Sequence, residues 1–309
     1  MLTKFRGLSH REALIFRGAQ RWAEFSPFLE YQDQEASAWL AAAISWANDP
    51  MPALYRESVG VNATLPAVPT DQILETLEKF GSFKTVKIKV CEKGEDLAQD
   101  LERVLFVAQH FPSATLRLDA NGGYTVSQAM ELATKLPLER IDYFEQPVAS
   151  IAELSELKER LSQAGLGLKI AADESIRKTS DPLEVARAGA ADVAVLKVQP
   201  LGGIDNALAI ARESGLEVAV SSALETSIGL AQNLHLALAL PSMNYDCGLG
   251  TLNLMAGDIC AEPLIPKEGR LTARTMEPDL ELLQKYAATP ERSKWWLERL
   301  ARCFELLES

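Results

Sequence analysis

Residues 84–90, Lys84-Thr85-Val86-Lys87-Ile88-Lys89-Val90, alternate basic and apolar side chains with a period of two. That pattern reads as a β-strand with Lys87 and Lys89 on one face and the valines and isoleucine on the other. Working outward, β-rich runs of similar length recur at 59–64, 114–120, 141–146, 167–174, 192–198, 216–222 and 243–248. Between them lie stretches such as 71–80, 95–111, 126–136 and 202–215, whose apolar residues recur at three and four and whose starts carry capping residues. Eight strand and helix units at a spacing of about 26 residues predict an α/β fold of the (β/α)8 TIM-barrel type. The alternative, a doubly wound open sheet, lacks the expected G-x-G-x-x-G after its first strand.

The flanks depart from this repeat. Residues 1–57 read as a capping segment, 58–272 as the barrel, and 273–309 as a helical tail packing with the cap. Segment and tail together predict a small α+β capping domain. The tail helix is entered through Thr289-Pro290 and carries Trp296, Leu300, Cys303, Phe304 and Leu307 on one stripe, which predicts docking of that whole stripe.

Composition removes several function classes. Lys and Arg number 31 against 43 Asp and Glu, and the net charge of −12 argues against nucleic acid and anionic membrane surfaces as partners. The four cysteines, Cys91, Cys247, Cys260 and Cys303, form no C-x-x-C pair, which fits a reducing cytoplasm. The three histidines, His10, His110 and His235, have no ligand spacing, so zincin chemistry and most Ser-His-Asp triads are excluded. No apolar run approaches the roughly 20 residues of a bilayer span, and residues 1–13 do not read as a signal peptide. A monomer acting on a small-molecule carboxylate is the expectation.

In a barrel of this type the chemistry sits at the C-terminal ends of the strands. Lys89, Asp119, Glu145, Asp173 and Lys197 occupy successive strand ends at intervals of 30, 26, 28 and 24 residues. Asp119, Glu145 and Asp173 would repel one another unless a cation joined them, and the spacing places no arginine among them. Three carboxylate oxygens suit a hard divalent ion, so they read as a Mg²⁺ site, with Mn²⁺ able to substitute. A cationic neighbour, Lys87, and a nearby metal depress the Lys89 pKa and make it a base; Lys197 stands across the carboxylate set. Gly202-Gly203 reads as a turn or an anion nest, Ser221 and Ser222 as polar lining.

Five motifs in this order resemble the enolase superfamily, muconate-lactonizing subgroup: Val86-Lys87-Ile88-Lys89-Val90, Arg117-Leu118-Asp119-Ala120-Asn121, Phe144-Glu145-Gln146-Pro147, Ala172-Asp173-Glu174-Ser175 and Leu196-Lys197. Within the subgroup, Trp22-Ala23-Glu24-Phe25-Ser26-Pro27-Phe28 is similar to the mobile N-terminal loop of the o-succinylbenzoate synthase family, although Ala23 stands where that loop commonly has glycine. The stretches 221–230 and 248–254 agree, as does Arg117.

The resemblance implies a Mg²⁺-dependent syn dehydration with Lys89 as base and then acid and Lys197 as the cation on the opposite face. It assigns supporting roles to Lys87, Arg117, Asn121 and Glu174, the last orienting Lys89 or Lys197. It assigns substrate contacts to Phe25, Ser26, Ser221, Ser222, Gly248 and Leu249. Two-base racemases, epimerases or cycloisomerases of the same subgroup, a Schiff-base aldolase, and a non-catalytic ligand-binding barrel remain the alternative readings.

Overall fold

The computed structural model describes residue 2 and residues 7–308. An antiparallel hairpin of β1 (Leu14–Arg17) and β2 (Trp22–Phe25) leads into helix α1 (Asp33–Asn48), whose small residues Ala36, Ala42, Ala43 and Ala47 let it lie close against neighbouring elements. Strand β3 (Ser58–Gly60) pairs antiparallel with β11 (Arg270–Thr272), outside the barrel.

The barrel sheet runs through β4 (Ala63–Leu65), β5 (Thr85–Lys89), β6 (Thr115–Asp119), β7 (Ile141–Glu145), β8 (Ile170–Ala172), β9 (Val193–Leu196) and β10 (Glu217–Val220), all parallel and in sequence order. Its helices are α2 (Ile73–Glu78), α3 (Leu97–His110), α4 (Val126–Ala133), α5 (Ile151–Gln163), α6 (Glu174–Arg177), α7 (Glu184–Arg187), α8 (Ile204–Ser214) and α9 (Ser227–Ala239). Helices α3, α4 and α5 begin in capping boxes, Asp96/Gln99, Thr125/Gln128 and Ser150/Glu153, which satisfy amide groups that the first helical turn leaves free. Helices on the outside and side chains on the inside bury both faces of the sheet, as its Val/Ile/Leu-rich strands require.

Two strand expectations need correction. The run at 59–64 divides into β3 and β4, because the chain leaves one sheet at Gly60 and enters another at Ala63. The run at 243–248 forms no strand. Isolated parallel bridges, Cys247 to Val61 and Gly248 to Ser221, occupy the eighth position instead. They suffice to close the barrel: Asn62 donates to the Cys247 carbonyl at 3.0 Å, Cys247 to Gly60 at 2.8 Å, and Gly248 to Val220 at 2.8 Å. Arg117, on β6, reinforces the seam from within by donating to the Asp246 carbonyl at 2.6 Å.

Helices α10 (Leu280–Lys285) and α11 (Pro290–Glu308) complete the chain. Helix α11 packs along α1, with Arg299 and Cys303 reaching Asp33, while Trp296 packs against Phe25 of β2 and Leu300 is half-buried. Phe304 and Leu307, expected on the docked stripe, are exposed, because the contact with α1 turns the face of Arg299 inward and theirs outward. Helix α9 is buried all round, lying between the barrel and the strands β2 and β3.

Candidate active site

Strand register builds the site. Lys89 is the Cα partner of Asp119, and Asp119 of Glu145, so three charged strand ends lie side by side at one level. Asp173 follows β8 immediately and Lys197 follows β9. All five side chains are buried, and the two lysines, Lys87 and Asp119 line one cavity.

The charges interlock. Lys89 Nζ donates to Asp119 Oδ2 and to Asn121 Oδ1, both at 2.5 Å. Lys87 Nζ donates to both Glu145 oxygens at 3.1 Å and lies 3.2 Å from Asp119 Oδ2. Lys197 Nζ donates to Asp173 Oδ2 at 2.6 Å. Burial alone would raise the carboxylate pKa values, yet Lys89 and Lys87 hold Asp119 well below the usual range. Arg177 and Lys197 do the same for Asp173. Glu145 shifts the other way: burial and then the neighbouring Asp119 push its pKa up, more than Lys87 offsets. Burial lowers the Lys89 pKa and Lys87 adds to that, against the pull of Asp119, whereas Glu145 and Asp119 keep Lys87 firmly protonated despite its burial.

An arginine does reach the carboxylates, contrary to the sequence expectation. Arg177 lies one helical turn beyond Asp173, donates through Nε to Asp173 Oδ1 at 2.9 Å, bonds Glu174, and donates to the Tyr31 hydroxyl at 2.6 Å. The i, i+4 spacing of Asp173 and Arg177 was the available signal, hidden because 167–174 reads as strand. Glu174 contacts Arg177 and Asn121, and Asn121 in turn bonds Lys89.

The assigned substrate contacts separate into two groups. Ser221, Ser222 and Gly248 line the cavity, together with Phe28, Thr64, Ala223, Leu224 and Thr251, which sequence reasoning did not single out. Phe25 instead packs edge-on against Trp296 at 5.8 Å in the core of the cap, because the expected mobile loop is strand as far as this residue. Phe28 is the member of that segment that reaches the cavity. Ser26 and Leu249 are buried outside the lining. Arg117 is the Cα partner of Lys87 but stays outside the cavity lining, paired with Asp142 at 2.9 Å and stacked over Tyr143. Gly202 and Gly203 form a turn: their amides donate to Gln199 and Val198, leaving no nest for an anion.

As to a metal, no cluster of three carboxylates among the described residues is arranged to hold one ion, since ammonium groups stand between them. The donor set nevertheless fits a hard divalent cation in kind. The three carboxylates are buried oxygen donors on neighbouring strand ends, and burial together with the adjacent Asp119 raises the Glu145 pKa, a shift that an added cation would oppose.

The chain matches family models described as enolase C-terminal domain-like over residues 70–278 and enolase N-terminal domain-like over residues 1–47. It is 46% identical to proteins named o-succinylbenzoate synthase from Mycobacterium ulcerans and Mycobacterium tuberculosis, over 99% of this chain and 92% of each of theirs. A solved muconate cycloisomerase from Pseudomonas fluorescens shares the fold with a TM-score of 0.74, at 22% identity over 88% of this chain and 92% of that one. Interlocked lysines and carboxylates at barrel strand ends, two matching domain models and full-length relatives agree: the chain belongs to the enolase superfamily and, within it, to the o-succinylbenzoate synthase family.

Proposed function

We propose that this chain catalyses the dehydration of 2-succinyl-6-hydroxy-2,4-cyclohexadiene-1-carboxylate to o-succinylbenzoate, a step of menaquinone biosynthesis. The observation that carries the reading is full-length identity of 46% to proteins of that name, in a chain whose Lys89 and Lys197 flank three buried carboxylates. Asp119, Glu145 and Asp173 would hold a divalent ion, Mg²⁺ with Mn²⁺ as a substitute. When bound, that ion supplies Lewis-acid stabilisation of negative charge on the ring carboxylate.

Lys89 Nζ, its charge disfavoured by burial and by Lys87, takes the proton from the carbon bearing the carboxylate. The C–H electron pair is first held as an anion conjugated with the ring carboxylate, and then moves into the ring as the neighbouring C–O bond breaks. The same ammonium, on the same face, then protonates the departing hydroxide, so water leaves, the ring becomes aromatic and Lys89 is again neutral. Lys197, held by Asp173, faces the ring from the other side and stabilises the anion and then the aromatic face. Phe28 covers the cavity from the cap, and Ser221, Ser222 and Gly248 line its far wall.

The test is direct. Purified protein with Mg²⁺ should convert the cyclohexadiene to a product with the absorbance of o-succinylbenzoate, and a chelator should stop it. Absence of aromatic product at saturating Mg²⁺, with racemisation of an N-acylamino acid in its place, would overturn the assignment.

A further inference from the structure

Behind Lys89, on the side away from the cavity, helix α3 carries a buried ion pair. Asp100 is 1% exposed and Arg103 2%, and they meet at 2.9 Å between Oδ1 and NH1. A buried pair is expensive to desolvate and is seldom a better filler than apolar side chains of the same volume, so where its remaining hydrogen bonds go is informative. They go to the backbone around Lys89. Arg103 NH1 donates to the Lys89 carbonyl at 3.0 Å, and the Cys91 amide donates to Asp100 Oδ2 at 2.9 Å.

The backbone at the second of those contacts is not relaxed. Cys91 has φ +62°, a left-handed conformation that an L residue other than glycine adopts at some cost and keeps only when its surroundings hold it there. The grip extends to both neighbouring strand ends. Arg103 Nε donates to the Val68 carbonyl at 3.2 Å, beyond β4, and the Tyr124 hydroxyl, beyond β6, donates to Asp100 Oδ2. Glu95 closes the far end of the guanidinium at 2.6 Å. One ion pair therefore ties together the ends of three consecutive strands, at the turn that sets where the Lys89 side chain leaves the barrel wall.

We propose that Asp100 and Arg103 are positioning residues for Lys89: the pair fixes the backbone that leaves the base, from its own carbonyl to the Cys91 amide, and with it the reach of the Lys89 amine toward the substrate proton. The inference rests on the reading of Lys89 as the base. Loosening that turn should misplace the amine by about an ångström, which in positioned proton transfer costs on the order of 10²-fold in rate.

The test uses Arg103→Lys, Asp100→Asn and Tyr124→Phe in the full-length protein. Amide hydrogen exchange of the Cys91 segment in metal-free, ligand-free protein reads the clamp with no reference to substrate. Turnover per titrated active site reads its consequence. Arg103→Lys and Asp100→Asn should speed exchange at Cys91 and lower kcat about 10²-fold with KM within about threefold, and Tyr124→Phe should do both more weakly. A filler role would instead lower the melting temperature while kcat per active site stayed at the wild-type value, and that result sinks the proposal. So does unchanged exchange at Cys91 in Arg103→Lys. If the charge variants fail to fold, Tyr124→Phe, which removes one hydroxyl, decides alone. If wild-type protein makes no aromatic product, the functional reading falls; faster Cys91 exchange and an altered acetylation rate of the Lys89 amine in Arg103→Lys then uphold the clamp, and wild-type values of both sink it.

Discussion

Glu24, on strand β2 of the cap, accepts the backbone N–H of Thr226 at 3.0 Å, so the N-terminus of barrel helix α9 is capped from another part of the chain. The same carboxylate oxygen accepts from the Thr226 hydroxyl at 2.5 Å and from the Gly229 amide at 3.1 Å. Helix N-termini favour such a negative group. Because α9 follows the loop that carries Ser221 and Ser222, this contact joins the cap to one wall of the catalytic cavity.

The joint should be pH-sensitive. Burial pushes the Glu24 pKa up to about 7; Ser26 and Thr226 pull it down, Glu225 beside it pushes further, and Arg11 opposes that. A carboxyl whose folded pKa exceeds its unfolded value contributes stability that is complete below the unfolded value of 4.5 and is lost as pH rises through about 7. Melting temperature should therefore fall between pH 5 and pH 8 through this group, and Glu24→Gln should flatten that part of the profile. Identical slopes in the two proteins, measured by thermal unfolding, would contradict the assignment.

Gly229 marks how closely the joint is built. A Cβ there would stand 2.8 Å from Glu24 Cδ and 2.8 Å from Glu225 Cβ. Gly229→Ala should cost about 1–3 kcal/mol, the range for overpacking a filled core, because neither carboxylate can withdraw without leaving its donors. Urea unfolding measures the loss, and an unchanged midpoint would show that the joint is looser than drawn.

Each carboxylate of the site should matter to the metal. Asp119→Asn, Glu145→Gln and Asp173→Asn are expected to weaken Mg²⁺ binding, read by calorimetry on the apo proteins. Asp173→Asn should also destabilise metal-free protein, by about 3–5 kcal/mol, since it leaves Lys197 buried without its carboxylate and Arg177 with Glu174 alone. Retained Mg²⁺ affinity in all three variants would remove the carboxylates from the metal site.

The two lysines should fail differently. Lys89→Ala is expected to lose about 10²- to 10⁴-fold in kcat, as for removal of one positioned proton-transfer group. Lys197→Ala should also be slow, through loss of a preorganised charge. With an unreactive analogue in D₂O, Lys197→Ala should still exchange the proton facing Lys89 and Lys89→Ala should not. The reverse pattern would exchange their roles.

The sequence alone determined the parts of this protein that repeat locally. Strand periodicity, capping residues and a spacing of 24 to 30 residues between charged strand ends were enough to place Lys89, Asp119, Glu145, Asp173 and Lys197 on one ring of a barrel. Parallel pairing transmits such spacing directly: equal units raise their ends to equal height. Tertiary structure decided what depends on approach between distant segments. Two short bridges at Cys247 and Gly248 close the barrel where a strand was expected, since closure needs only a few well-placed amides and carbonyls. Phe28 rather than Phe25 reaches the cavity, because pairing of β2 with β1 turns Phe25 into the core against Trp296. Arg177 joins the carboxylates only once 174–177 coils into a helix. Apart from the i, i+3 contact between Asp100 and Arg103 themselves, the partners of Glu24, Asp100 and Arg103 lie outside their own elements and share no period with them, so hydrophobic pattern and motif spacing carry no trace of those contacts.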